Sequence, residues 1–281
     1  MIFVIVKRNV TIFFRDKMNV FLSMLSNFIM LGIYLLFTGN IFKSSLAGFD
    51  KAGILLDSWL VAGLIATTTI TCTVGIFGKR IEDENKGINK DFNCSPITKR
   101  ELVGGYILSA FFIGFLVSLV FLFFSLIILF LHGGDILDIY SILKIIGVII
   151  LADFTNSSMI FFITSFLKTH SAYFTTASIM GVLSGFLTGI YMPIGNLPKF
   201  MQTIVKIFPT SHAASLLRQI FTKDITSSLP LEVVNVINEN LGMIYTFNGK
   251  ELSNIISVFI LIISGILFYI LGVISLSRKV K

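Results

Sequence analysis

Apolar residues along this chain gather in six long stretches, at about 19–42, 58–78, 102–131, 140–167, 172–192 and 254–276. A helix rises about 1.5 Å per residue, so each stretch is long enough to cross a hydrocarbon core about 30 Å thick. Residues 1–17 follow another pattern. Lys7, Thr11 and Arg15 recur every fourth position beside a wide apolar face, which predicts a helix lying in the membrane interface. No charged region precedes MIFVIV and no small-residue cleavage site follows it, so a secretory signal fits less well. Between the fifth and sixth stretches, Pro193, Pro198 and Pro209 punctuate two apolar pieces, 199–208 and 211–221. Each would reach only about 15 Å, half the bilayer core. In tandem they can enter and leave from one face as a re-entrant hairpin, provided the irregular tip is buried in protein or wetted. A pair of interfacial surface helices is the other option. Leu229, Val233, Val236 and Ile237 suggest one more small amphipathic helix. The expected architecture is an all-α integral membrane protein with a single domain over 1–281. It has six transmembrane helices, an N-terminal interfacial helix (1–17), a cytoplasmic loop (79–101), and a re-entrant hairpin with an external segment (193–252).

Composition supports the membrane reading. The chain is 55% hydrophobic and 13% charged, with 29 Phe and a mean hydropathy of +0.91. Soluble domains carry about 25% charged residues, so most soluble enzymes and nucleic-acid binders are excluded. The net charge of +7 is informative through its distribution. If the N-terminus is cytoplasmic, that side gathers 14 of the 22 Lys and Arg, which places both termini inside and the protein in the plasma membrane. Cys72 and Cys94 fall at different depths, against a disulfide framework. His132, His170 and His212 are scattered and give no metal-ligand spacing.

The loop KRIEDENKGINKDFNCSPITKRELVGG is the richest in chemistry. Ile81, Ile88 and Phe92 would form a narrow apolar stripe on a helix over 81–93, with Glu82, Asp83 and Glu84 near its positive end. Such a stripe suits docking into a groove on a cytoplasmic partner; a solvated loop that only anchors topology is the plainer alternative. Inside the membrane, Asp153 falls near the midplane of the fourth stretch, with Asn156, Ser157 and Ser158 one turn on. An acid there costs roughly 2.5–3.5 kcal/mol on insertion scales, so it must face protein or water. It is either part of a transport path or a group bonded to another helix, with Thr67, Thr68 and Thr71 as candidate partners. Gly181, Gly185 and Gly189, spaced by four, read as a helix-packing face.

Taken in order, these features resemble the permease subunit of ABC transporters of the ABC-2 type, also called type V exporters. The likeness rests on the interfacial helix, the six spans and the loop between spans two and three. Within that loop Glu82, Asp83, Glu84, Gly87, Ser95 and Pro96 stand at matching positions, although Ile88 replaces the family's Thr. Met192-Pro193, Leu197-Pro198 and Phe208-Pro209 match its re-entrant region. The resemblance implies two permeases, the same or homologous chains, paired in lipid above two ATPase subunits, with Ile81, Glu82, Asp83, Glu84, Gly87, Ile88 and Phe92 receiving the ATPase stroke. ATP and Mg would sit on the ATPase, and this chain would hold no cofactor. Its only Gly-Lys pairs, Gly78-Lys79 and Gly249-Lys250, do not fit a phosphate-cradling loop. The expected cargo is an amphipathic drug, antibiotic or peptide. A lipid or lipid-linked glycan is the second candidate, and an ion-coupled carrier using Asp153 the third.

Overall fold

The protein, in a computed structural model, is described over residues 1–33, 51–88, 97–135, 137–247 and 250–278. In chain order it forms α1 (Ile2–Arg15), α2 (Lys17–Ile33), α3 (Ala52–Asn85), α4 (Lys99–Leu131), α5 (Ile139–Ser165) and α6 (His170–Leu187). A 3-10 turn at Ile194–Asn196 then leads to α7 (Lys199–Ile207), α8 (Pro209–Thr226), α9 (Leu231–Asn240), strands β1 (Thr246–Phe247) and β2 (Lys250–Glu251), and α10 (Asn254–Arg278). The strands form an antiparallel pair, Thr246 opposite Glu251, an element absent from the sequence reading. Among the described residues four helices, α3, α4, α5 and α10, are long and apolar enough to cross a membrane. With residues 34–42 outside the described set, only α2 of the first stretch can be placed.

The helix starts follow local chemistry. Thr98 and Glu101 form a reciprocal capping box at α4. The side chains of Asp138 and Thr169 accept from backbone N–H groups at the starts of α5 and α6. Each proline of the 193–209 region begins an element: Pro193 and Pro198 precede the 3-10 turn and α7, and Pro209 is the first residue of α8. Proline suits these places because its missing N–H would have had no helical partner.

Helix α3 is the hub. It packs against α2, α4, α5, α6 and α8, while α10 lies mainly along α5. At 34 residues it outruns the 58–78 stretch at both ends and, at about 51 Å, exceeds the bilayer core. A separate helix beginning at residue 81 is therefore not formed, because 81–85 continue α3. Helix α1 lies on α4, with Ile5 so close to Gly105 that a Cβ there would come within 2.9 Å. Lys7, Thr11 and Arg15 face out, while Ile5, Val6, Asn9 and Phe13 are buried.

Two further expectations change. The piece expected at 211–221 is the 18-residue α8, and most of its length is buried among α3, α5 and α10. Its partner α7 is a surface helix exposing Phe200, Ile204 and Ile207. The two are thus not a matched pair. The fifth stretch ends at Leu187, and its glycines do three different things. Gly181 has nothing near it, Gly185 lies against the Tyr191 ring, and Gly189 (φ +74°) terminates the helix. A left-handed residue just past the last turn is a common helix stop. Of the residues expected on the small amphipathic helix, Ile237 is buried on α9 while Val233 and Val236 are exposed.

Candidate transport groove and coupling end

At the end of α3 nearest α1, the acidic cluster divides into inward and outward groups. Asp83 is fully buried and takes both arms of the Arg8 guanidinium, at 2.8 and 3.0 Å, while the Tyr106 hydroxyl donates to it at 3.1 Å. A bidentate, charge-assisted pair of this kind fixes orientation as well as distance. It raises the Arg8 pKa and ties α1 to α3 and α4. Asn9 adds a second tie, donating to Ser109 at 3.1 Å. Ile81 is also fully buried, so it lies inside the bundle and offers nothing to an outside partner. Glu82 and Glu84 face outward. Lys79 (2.7 Å) and Lys86 hold the Glu82 carboxyl down at about 2, and Glu84 pairs with Arg80 at 3.3 Å. Arg80 donates to the Thr164 carbonyl at 2.9 Å, near the end of α5, where a cation suits the helix dipole. Gly87 turns with φ +77° and Ile88 is half-buried; Phe92 lies outside the described residues.

Asp153 and Asn156 sit in the interior. Asn156 donates to Thr69 at 2.7 Å and accepts from Thr210 at 2.7 Å, joining α5 to α3 and α8. The expected partners on α3 are therefore one face off. Thr67 instead pairs with Thr188 and Thr68 accepts from Asn27, while Thr69 faces α5. Asp153 is fully buried, and Gly114 leaves it room, since a Cβ there would meet its Oδ1 at 2.8 Å. Among the described residues neither Asp153 oxygen, nor the Ser118, Ser157 or Ser158 hydroxyl, has a hydrogen-bond partner.

Arg218 escaped the sequence reading, where it was one more loop cation. It is fully buried on α8, stacked 4.4 Å from the Trp59 ring, and donates to the carbonyls of Thr188 (2.7 Å), Trp59 (3.4 Å) and Leu241 (3.4 Å). Thr188 and Leu241 are the terminal caps of α6 and α9, each followed by a left-handed glycine, Gly189 and Gly242. Two helix C-termini thus converge on one guanidinium, whose charge complements both dipoles. Those paired helix-ending glycines were the available clue.

Two cavities lie along the seam between α3 and α6 and share Thr71 as a wall. The upper, about 260 Å³, is bounded by α2, α3 and α6, with a mainly apolar wall that includes Met30, Leu64, Val182 and Ile190 and carries the hydroxyls of Ser26, Thr67 and Ser178. The lower, about 480 Å³, opens between α1, α3 and α6 beside the Arg8–Asp83 pair. Asp153 and Asn156 line neither.

Residues 1–222 match the family described as ABC-2 type transporter. The chain belongs to that family. It is thus an ABC transporter permease and a multi-pass membrane protein, of a family that normally works with an ABC ATPase. The matched stretch ends inside α8, so α9, the strand pair and α10 lie beyond it. No curated protein matches the chain.

Proposed function

We propose that this ABC-2 permease is the membrane half of an ATP-driven exporter of amphipathic molecules, and that its path follows the α3–α6 seam. The observation that carries the reading is the pair of cavities on either side of Thr71, graded from a charged, aromatic lower chamber to a mainly apolar upper one. A cavity of a few hundred Å³ is the usual size for a drug-like occupant. In this reading α2 and α6 complete six spans, both termini are cytoplasmic, and α7–α8 form the re-entrant unit. A second permease closes the open side of the seam. The full burial of Asp153 and Asn156 supports a packing role for them outside the path.

The ATPase stroke enters through the outward face of the α3 end, from Glu82, Glu84 and Gly87 into Ile88 and Phe92. Asp83 and Ile81, turned inward, pass it to α1 and α4. ATP and Mg belong to the partner subunit. The test is co-purification with an ATPase whose turnover the cargo stimulates. Ile88→Asp or Phe92→Asp is expected to abolish that stimulation while leaving the permease folded. Full retention by both variants would discard the coupling role. Asp153→Asn is expected to leave export unchanged, and loss of export in a well-assembled variant would return Asp153 to the path.

A further inference from the structure

Another cavity, about 480 Å³, lies at the end of the bundle where α3 begins, with walls from α3, α4, α5 and α8. It shares no lining residue with the two cavities of the α3–α6 seam. Its body is apolar, built from Ile54 on α3, Leu126 and Leu129 on α4, Ile142 on α5, and Phe221 and Ile225 on α8, and interrupted by the Ser58 hydroxyl. Its charged residues keep to the rim. Lys51, Asp135 and Asp224 are all exposed, and they stand just before α3, just after α4 and in the last turn of α8.

The cavity also meets the outer surface of α4. Phe123, Ile127 and Phe130 line it, yet they are 62%, 41% and 60% exposed. Spaced by four and three, they form one stripe on a helix long and apolar enough to cross the membrane. From Phe123 to Phe130 that helix rises about 10 Å, within the roughly 15 Å that one leaflet gives to the hydrocarbon core. An occupant must therefore be apolar over most of one leaflet, polar at the rim, and able to arrive sideways through lipid. A phospholipid chain meets all three conditions. Seated there it touches four helices at once, whereas a chain on the outer face of α10 meets protein on one side only, and dispersion contacts accumulate with the number of neighbours.

We propose that this cavity is a site for one acyl chain of a membrane phospholipid, with the headgroup beside Lys51, Asp135 and Asp224. The site stands apart from the transport path and rests on the membrane placement of α4 alone.

The test uses the full chain in detergent, titrated with a phosphatidylcholine that carries a photoreactive diazirine midway along one chain. After irradiation the labelled residues are mapped by peptide mass spectrometry. Phe221 and Leu129 line the cavity and are only 4% and 7% exposed, whereas Phe259 on α10 is 57% exposed and reports ordinary surface lipid. Label on Phe221 and Leu129 is expected to saturate while label on Phe259 keeps rising with probe. Ile225→Phe, which narrows the cavity from α8, should weaken the saturable labelling about tenfold and leave Phe259 unchanged. Ile54→Asn, which sets an amide on the opposite wall, should act in the same direction. Label confined to Phe259 and the exposed stripe of α4 would overturn the proposal. So would saturable label on Phe221 untouched by either variant when melting is unchanged. The seam cavities share none of these residues, so such a failure would leave the exporter reading standing.

Discussion

Helices α3 and α10 are both long and apolar, yet 89% of the most apolar window of α3 is buried against 22% of that of α10. The less buried helix is the more hydrophobic of the two. In water the order would be reversed. Here lipid supplies the apolar phase, so the outer face of α10, with Ile255, Phe259 and Ile263, can be greasy throughout. The hub α3 instead uses Trp59, Thr67, Thr68, Thr69 and Arg80 for bonds to four neighbouring segments, two of them to α5. Along α3 the buried polar side chains mark contacts with neighbouring protein segments.

The largest test of that contrast is the Arg218 clamp. Arg218→Ala would remove the charged donor shared by three buried carbonyls, of which that of Leu241 keeps the Trp59 indole N–H at 2.8 Å, and leave a void. With hydrogen bonds to a charged group worth about 1.5–3 kcal/mol each, the bundle is expected to lose assembly in mild detergent. Arg218→Lys should recover part of it. A melting temperature unchanged by Arg218→Ala would show that α3 is not held from the α8 side.

Next comes Arg8→Ala, which leaves Asp83 buried without its cation. The expected loss is about 3 kcal/mol, read by thermal unfolding in detergent, with Asp83→Asn less severe because the amide can still accept from Tyr106. The contrast can also be divided within α10. Gly265 faces α5, where an added Cβ would lie 2.7 Å from Phe154. Gly265→Ala should therefore cost about 1–3 kcal/mol by overpacking. Phe259→Ala, on the 57% exposed face, should change protein stability by less than about 0.5 kcal/mol. Equal effects from the two would contradict a lipid-facing surface.

The smallest effect belongs to the surface pairs. Lys86→Ala, at a fully exposed ammonium, should move the melting temperature least of all these variants. Because Lys79 and Lys86 depress the Glu82 carboxyl to about 2, their contribution is complete above the ordinary glutamate range. It is lost as pH falls through about 2, which an acid melting series compared with Glu82→Gln would record.

Much of the plan was legible in order along the chain. Apolar stretches longer than any soluble strand or helix needs can only be helices in lipid. Prolines at 193, 198 and 209 each begin an element because each removes a backbone donor there. The two-faced character of α1 could be read from three residues at one helical spacing, since that periodicity is intrinsic to the backbone. The acidic run at 82–84 stood out as a place of interest, but its division did not.

Which way each of those acids points depends on the rotation of α3 about its own axis, and that is set by neighbours far along the chain. Arg8, Tyr106 and Thr164 decide that Asp83 and Arg80 turn inward. The same holds for Arg218, whose three acceptors come from segments between 23 and 159 residues away. The alphabet of the chain determined that it lives in a bilayer and where its helices begin. Only packing decided which polar groups are structural glue and which line an open chamber, because a side chain's surroundings come from helices that local sequence does not specify.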